Sequence, residues 1–305
     1  MSLPLISPLP IRWPLEAIWE AVAPGLPGFT AEVVSSVDSS NTELMRRVKG
    51  YPASSVANPT AEPRSEPILL VAEQQTAGRG RLGRSWLSQR GDSLTFSLGL
   101  PLRPADWSGL SLAVGISLAD SLEPDSTDVR IGLKWPNDLW LAGEKVKQGD
   151  QNYSKLAGVL VETASWEGLR YVVIGVGINI RMLELSALAT LDNASAPPDL
   201  THTYTPMPPI PLGHLQALLS GMDAAQTLLR VVPPLVQAVQ AFEQSGFAPF
   251  QARFARRDVL SGRAVALSDG TVGTACGVGE NGALLVHTLA GMKEVTSSEV
   301  SVRPC

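Results

Sequence analysis

Cysteine and histidine are scarce in this 305-residue chain, which has only Cys276, Cys305, His202, His214 and His287. Two thiols, one of them terminal, exclude a disulfide framework, and their separation fits no metal-ligand spacing. Three scattered histidines assemble neither a nucleophile–base triad nor a zinc site. No apolar run is long enough to span a bilayer, and Met1–Pro14 lacks a basic region followed by an apolar stretch, so no signal peptide is expected. The expectation is a soluble, cytoplasmic protein. Long runs of Lys or Arg are absent too, and the formal charge is -5. Broad coating of nucleic acid is thereby excluded, which leaves room for a local basic loop.

What is present fills a core. Hydrophobic residues make up 44% and charged residues 17%, and the length suits one large domain plus a smaller one. Residues 15–23 read as a short amphipathic helix. Strand-length apolar runs follow at Ile68–Ala72, Leu94–Leu100, Val129–Leu133, Leu156–Val161 and Tyr171–Ile180. Helical spacing shows in Leu112, Ile116 and Ala119, in Leu215, Leu218, Leu219 and Met222, and in Leu235, Val239 and Phe242, with Gly246 as a stop. The mixture lacks a steady βαβ rhythm, so the fold class is α+β. Beyond about residue 260, Arg263–Ser268, Thr271–Gly277, Ala283–Thr288 and Lys293–Ser297 are short strands separated by turns such as Asp269-Gly270 and Asn281-Gly282. They predict a small SH3-like β-barrel. The expected domains are therefore residues 1–255 and 256–305. Pro52–Pro67 and residues 183–211, with six prolines in the latter, read as loops or inserts.

Five segments carry chemistry. In Glu73-Gln74-Gln75-Thr76-Ala77-Gly78-Arg79-Gly80-Arg81-Leu82-Gly83-Arg84-Ser85-Trp86, glycines alternate with arginines between two strands. Such a loop lets backbone approach a ligand while cations surround it, which suits phosphate; a plain solvated loop has the same composition. It is neither a Walker loop nor a dinucleotide fingerprint. Trp86 could stack on a purine or serve as core. Lys134-Trp135-Pro136-Asn137-Asp138 turns at a strand end, where Asn137 and Asp138 hold the turn or Asp138 is a carboxylate near Mg²⁺ or an incoming amine. Lys155-Leu156-Ala157-Gly158 puts a lysine at the mouth of a buried strand, where it could neutralise a carboxylate and an α-phosphate together or simply be solvated. Gly175-Val176-Gly177-Ile178-Asn179 permits close approach and ends in an amide. Asp38-Ser39-Ser40-Asn41-Thr42-Glu43 has capping-box spacing between Ser40 and Glu43, and the cap alone accounts for Ser40.

Together, from about Val34 to Asn179, these segments resemble the catalytic domain of biotin protein ligases. The resemblance implies a mixed β-sheet flanked by helices, related to lipoate ligases and class II synthetases. It implies activation of biotin by ATP, with Mg²⁺, to biotinyl-adenylate, then transfer to a lysine of a biotin carboxyl carrier protein of acetyl-CoA carboxylase. It places Ser39, Ser40, Asn41, Gln75, Gly78, Arg79, Lys155 and Gly158 around biotin. Arg81, Arg84, Trp86, Asn137, Lys155 and Asn179 would contact ATP or the adenylate, and Lys155, Arg79, Arg81 and Asp138 would act in catalysis. Metal ligands remain unknown, and a homodimer remains open. The loop around residues 78–90 is expected to order on ligand binding. Ahead of Val33 the chain has room for one short helix, so no DNA-reading domain and no repressor function are expected. Rival readings are a lipoate or octanoate ligase, a non-catalytic biotin sensor, and an RNA-binding module.

Overall fold

The computed structural model describes residues 10–50, 66–124, 127–143, 152–166, 169–182, 211–296 and 302–304. Its larger sheet contains β1 (Thr30–Val34), β2 (Ile68–Ala72), β3 (Ser93–Pro101), β4 (Ile131–Lys134), β5 (Asp138–Ala142), β6 (Tyr153–Trp166) and β7 (Leu169–Asn179), in the order β1-β2-β3-β7-β6-β5-β4. Only β1 and β2 run parallel; every other neighbouring pair is antiparallel. The sheet is therefore mixed, as the resemblance implies.

The two-residue period of the strands sorts its faces. Leu69 and Val71 of β2 join the main core with Leu94, Phe96 and Leu98 of β3. Ile68 and Leu70 point the other way, into a smaller cluster with Leu44, Val48, Tyr171 and Val173. Helices cover both faces: α1 (Leu15–Val22), α3 (Leu110–Leu122) and α4 (Ala224–Ser245) on the main core, and α2 (Ser40–Val48) on the smaller cluster. Buried residues run all around α3 because it lies between the sheet and α4, so it lacks the polar stripe of a surface helix. The short α5 (Gln251–Ala255) leads toward the second sheet.

That sheet contains β8 (Ala264–Leu267), β9 (Val272–Val278), β10 (Leu284–Thr288), β11 (Gly291–Val295) and β12 (Val302–Pro304), all antiparallel, in the order β11-β10-β9-β8-β12. It matches the expected SH3-like unit with one additional strand. Asp269-Gly270 and Asn281-Gly282 turn between strands as read, with both glycines at positive φ.

Several expectations shift. Leu215–Met222 is not an α-helix: a 3-10 turn at Leu215–Ala217 precedes Asp223, whose carboxylate and Gln226 form a reciprocal capping box that starts α4. Gly246 ends α4 as expected. The cap of α2 is Ser39, not Ser40: Ser39 Oγ accepts from the Thr42 N–H at 3.4 Å. Glu43 instead pairs with Arg46 and Arg47, so no Ser40–Glu43 capping box forms. The expected loop at 52–67 and insert at 183–211 lie almost wholly outside the described residues.

Candidate active site

The cleft is floored by small residues at alternate strand positions. On β7, Val172, Ile174, Val176 and Ile178 enter the main core, while Gly175 and Gly177 face the side where α2 begins. The register sets Ser97 and Leu160 beside Gly175, and Thr95 and Gly158 beside Gly177. A Cβ at Gly175 would overlap the Asn41 amide, and one at Gly177 would overlap the Trp86 indole. The glycines of β7 thus admit the protein's own side chains. Trp86 rests between the floor and Lys155, whose Nζ is 5.7 Å from the ring centroid. The buried Nε1–H of Trp86 has no acceptor among the described residues.

One end of the cleft is neutral and rich in hydrogen bonds. The Ser40 N–H donates to Gln75 Oε1 at 2.7 Å, and the Ser40 hydroxyl lies 3.1 Å from the same oxygen. Ser97 Oγ lies 2.6 Å from Asn41 Oδ1 and 2.7 Å from Ser40 Oγ. Ser39, Ser40 and Asn41 are all buried. Such a network presents fixed donors and acceptors without charge, which suits a polar, uncharged head group.

The other end is cationic. The Gly-Arg segment folds as a small hairpin: Arg79 pairs antiparallel with Ser85, and the Trp86 N–H donates to the Gly78 carbonyl at 2.9 Å. At its tip Leu82 holds φ 55°, unusual for leucine, followed by Gly83 at φ 72°. Arg79, Arg81 and Arg84 line the cleft with Lys155. Burial pulls the Arg81 guanidinium below its ordinary pKa, Asp138 opposes this and Arg84 adds to it. Lys155 Nζ pairs with Asp138 Oδ1 at 2.8 Å. The cleft is open to solvent, and its empty space, including that open part, is about 720 Å³.

The turn from β4 to β5 is fixed from several sides. The Trp135–Pro136 peptide is cis, and Ser111 Oγ donates to the Pro136 carbonyl at 3.0 Å. Asn137 Nδ2 donates to the Val159 carbonyl at 2.8 Å, and the Val159 N–H returns a bond to the Asn137 carbonyl at 2.9 Å. Asn137 therefore holds the turn and also lines the cleft.

Comparison with known proteins follows from this geometry. The model of the biotin/lipoate A/B protein ligase family matches residues 60–179, and that of the biotin protein ligase C terminal domain matches residues 260–303. The bifunctional ligase/repressor BirA of Escherichia coli is 30% identical over 284 residues, covering 91% of this chain and 75% of that protein. The chain belongs to the biotin protein ligase family. Within that family, the biotin–[acetyl-CoA-carboxylase] ligase of Mycobacterium tuberculosis is 34% identical over 177 residues, 55% of this chain and 57% of its own. The Aquifex aeolicus biotin protein ligase, solved with biotin and ATP, superposes with a TM-score of 0.62 at 28% identity, covering 90% of this chain and 99% of that one.

Of the residues selected from the sequence of this family member, all line the cleft except Gly78 and Asn179. Gly78 has no room for a side chain, since a Cβ would overlap the Trp86 carbonyl. Asn179 is not among the residues that line the cleft. It is buried, and its Nδ2 donates to the carbonyls of Lys155 at 3.1 Å and Gly213 at 3.0 Å. With the Pro211 carbonyl accepting from the Lys155 N–H at 2.7 Å, it anchors the backbone that carries Lys155. Sequence reading missed Lys134, which is buried beneath the cations with Nζ 5.3 Å from the Trp140 ring centroid. Burial lowers its pKa from 10.5 to about 8; Asp138 opposes this, and Lys155, Arg84 and Arg81 add to it. It also missed Ser97 and Glu162. Thr95, Ser97 and Gly99 interrupt β3 at every second position, and that alternation is visible in the sequence.

Proposed function

We propose that this chain is a biotin–protein ligase that joins biotin and ATP into biotinyl-5′-adenylate with release of pyrophosphate. It then transfers the biotinyl group to a lysine of a biotin carboxyl carrier protein of acetyl-CoA carboxylase, releasing AMP. The supporting observation is the polarity of one cleft: a neutral hydrogen-bonding end at Ser39, Ser40, Asn41 and Gln75, and a cationic end at Arg79, Arg81, Arg84 and Lys155. The first suits the uncharged ureido head of biotin. The second suits the two anions, carboxylate and α-phosphate, that must approach each other.

In the first step the biotin carboxylate oxygen attacks the α-phosphorus and pyrophosphate leaves. Repulsion between the anions is screened by Lys155, Arg81 and Arg79, in surroundings where burial pulls the pKa of Arg81 and of Lys134 below their ordinary values. Asp138 keeps the Lys155 ammonium on the cleft side. In the second step the neutral amine of the carrier lysine attacks the acyl carbon, and AMP is the leaving group. Orientation then matters most, and Asp138, at the start of β5 and paired with Lys155, is the carboxylate we assign to orienting the amine. Mg²⁺ arrives with ATP as part of the substrate. Among the described residues no cluster of three His, Cys, Asp or Glu side chains could hold it, and Asp138 is already engaged by Lys155. No helix among the described residues is long and apolar enough to cross a membrane. A cytoplasmic location accords with the substrates.

The test is biotin-dependent exchange of labelled pyrophosphate into ATP by the purified protein and its Lys155→Ala variant. Exchange in the parent and its loss in the variant are expected. Exchange with lipoate or octanoate but not biotin would keep the chemistry and overturn the substrate, and no exchange with any acid would overturn the reaction.

A further inference from the structure

Glu162 lies outside the cleft lining yet reaches both of its ends. It sits on β6 four residues beyond Gly158, on the same side of the sheet. Its Oε2 accepts from Asn41 Nδ2 at 3.0 Å, and its Oε1 lies 3.4 Å from Arg79 Nη1. Asn41 belongs to the neutral end and Arg79 to the Gly-Arg hairpin.

The Asn41 contact fixes an orientation. Asn41 Oδ1 can only accept, so the Ser97 hydroxyl, 2.6 Å away, must give it its proton. Nδ2 must then face acceptors, and it has two: the Leu160 carbonyl at 3.2 Å and Glu162. Gly175 beneath leaves the amide pressed against the strand. With its own proton committed, Ser97 Oγ is an acceptor for Ser40. The carboxylate of Glu162 thus selects the donor–acceptor sense of the chain Glu162–Asn41–Ser97–Ser40. The Arg79 contact is looser. The Arg79 side chain is 51% exposed and Glu162 22%, so the ion pair is worth only a factor of a few in any equilibrium it biases.

We propose that Glu162 is a positioning residue whose carboxylate orders the neutral end of the cleft and tethers the Gly-Arg hairpin to it, so that the two ends are set together. The inference rests on reading the cleft as the adenylating site. It has a consequence that does not: the hairpin of the ligand-free protein is held by Glu162.

Two variants separate the contacts. Glu162→Ala removes both, whereas Glu162→Gln keeps an oxygen for Asn41 Nδ2 and removes the charge facing Arg79. The first readout is the rate of tryptic cleavage after Arg81 and Arg84 in the folded, ligand-free protein. Both variants should be cut about threefold faster than the parent, with near-parental melting temperatures. Glu162→Ala combined with Arg79→Ala should be cut no faster than Arg79→Ala alone. The second readout is biotin-dependent pyrophosphate exchange. Glu162→Ala should raise KM for biotin about five- to tenfold while kcat changes less than twofold, and Glu162→Gln should restore most of the lost KM. Cleavage at the parental rate in both variants, or additive effects of Glu162→Ala and Arg79→Ala, would overturn the tether. An unchanged biotin KM in Glu162→Ala would overturn the ordering of the neutral end. If Glu162→Ala fails to fold, the near-isosteric Glu162→Gln decides the tether alone. A parent protein that exchanges no pyrophosphate would sink the ligase reading, and the cleavage comparison would still judge Glu162.

Discussion

Two groups of arginines in this protein differ in what satisfies them. Arg257, two residues beyond α5, is buried and makes four hydrogen bonds: it donates to Asp120 and Glu123 and to the carbonyls of Ile131 and Glu123, at 2.7–3.0 Å. Arg253 adds two hydrogen bonds, from Nε and Nη2, to the single oxygen Oδ2 of Asp120. In the Gly-Arg hairpin, by contrast, Arg79 is half exposed, with a 3.4 Å ion pair and a 3.3 Å hydrogen bond to Thr42. Nothing in the residue type distinguishes the groups. In one, the countercharge Glu123 is buried with Arg257; in the other, the cations line a cleft in which Asp138 is the one carboxylate among the described lining residues. A closed network holds α3, α5 and β4 together, whereas the hairpin cations line a cleft that is open to solvent.

That contrast breaks most visibly at Arg257. Arg257→Ala removes the countercharge of Glu123, itself 7% exposed, leaving it only the N–H groups of Arg130 and Ile131, and should lower unfolding stability by about 3 kcal/mol. Urea unfolding measures it; a loss under 1 kcal/mol would mean the network contributes no more than a surface pair. Surviving folded protein should keep its KM for ATP, because Arg257 does not line the cleft. Lys155→Ala should do the reverse. Pyrophosphate exchange should fall about 10²–10³-fold, the usual cost of one preorganised stabilising group, with a small change in stability. Equal thermal destabilisation by both variants would erase the distinction.

How much of this is legible in the sequence depends on how local the cause is. Strands with continuous apolar runs, such as Ile68–Ala72, were readable to the residue because burial on both faces leaves no ambiguity. The short strands Thr30–Val34, Asp138–Ala142 and Val302–Pro304 were not read, since their pairing is decided by distant neighbours. Ser39 and Ser40 are adjacent, and which one caps α2 depends on Gln75, 35 positions away, claiming the other. Most of the selected site residues gather because motif residues sit at strand ends and turns of one sheet. Glu162 and Lys134 could not be singled out, as their roles depend on register across strands.

Lys134 sharpens the comparison through pH, because a lysine can shed the proton that an arginine keeps. Its folded pKa is depressed to about 8 against 10.5 for the unfolded chain. Below about pH 8 both states hold the proton and the cost of burying the charge is present in full. Between about pH 8 and 10.5 the unfolded chain binds more protons, so this contribution to stability rises with pH, by about 3 kcal/mol in all. Relative to Lys134→Met, the parent should therefore gain stability from pH 7.5 to 10. A difference between the two that stays flat across that range would show that Lys134 titrates as an exposed lysine does.

The smallest effect tests how far the cleft depends on the second sheet. Trp135 is buried at the start of the turn that presents Asp138, and its Nε1–H donates to the Gly282 carbonyl at 3.0 Å, in the turn between β9 and β10. Gly282 fits there because it is glycine: φ is 79°, and a Cβ would stand 2.7 Å from the Gly109 Cα. Trp135→Phe deletes the donor while keeping an aromatic ring, and should cost about 1–2 kcal/mol for the orphaned carbonyl and lost contacts. If the bond only fastens the two sheets together, stability falls and KM for ATP stays put. If it also sets the turn, KM for ATP should rise two- to threefold, because Asp138 and its partner Lys155 would shift together. The second outcome is expected: the same turn is held by Ser111, by Val159 and by the Leu133 N–H donating to the Arg257 carbonyl at 2.7 Å. Loss of one of several supports loosens a turn without releasing it, which is why a small change in KM, not a collapse of activity, is the informative result.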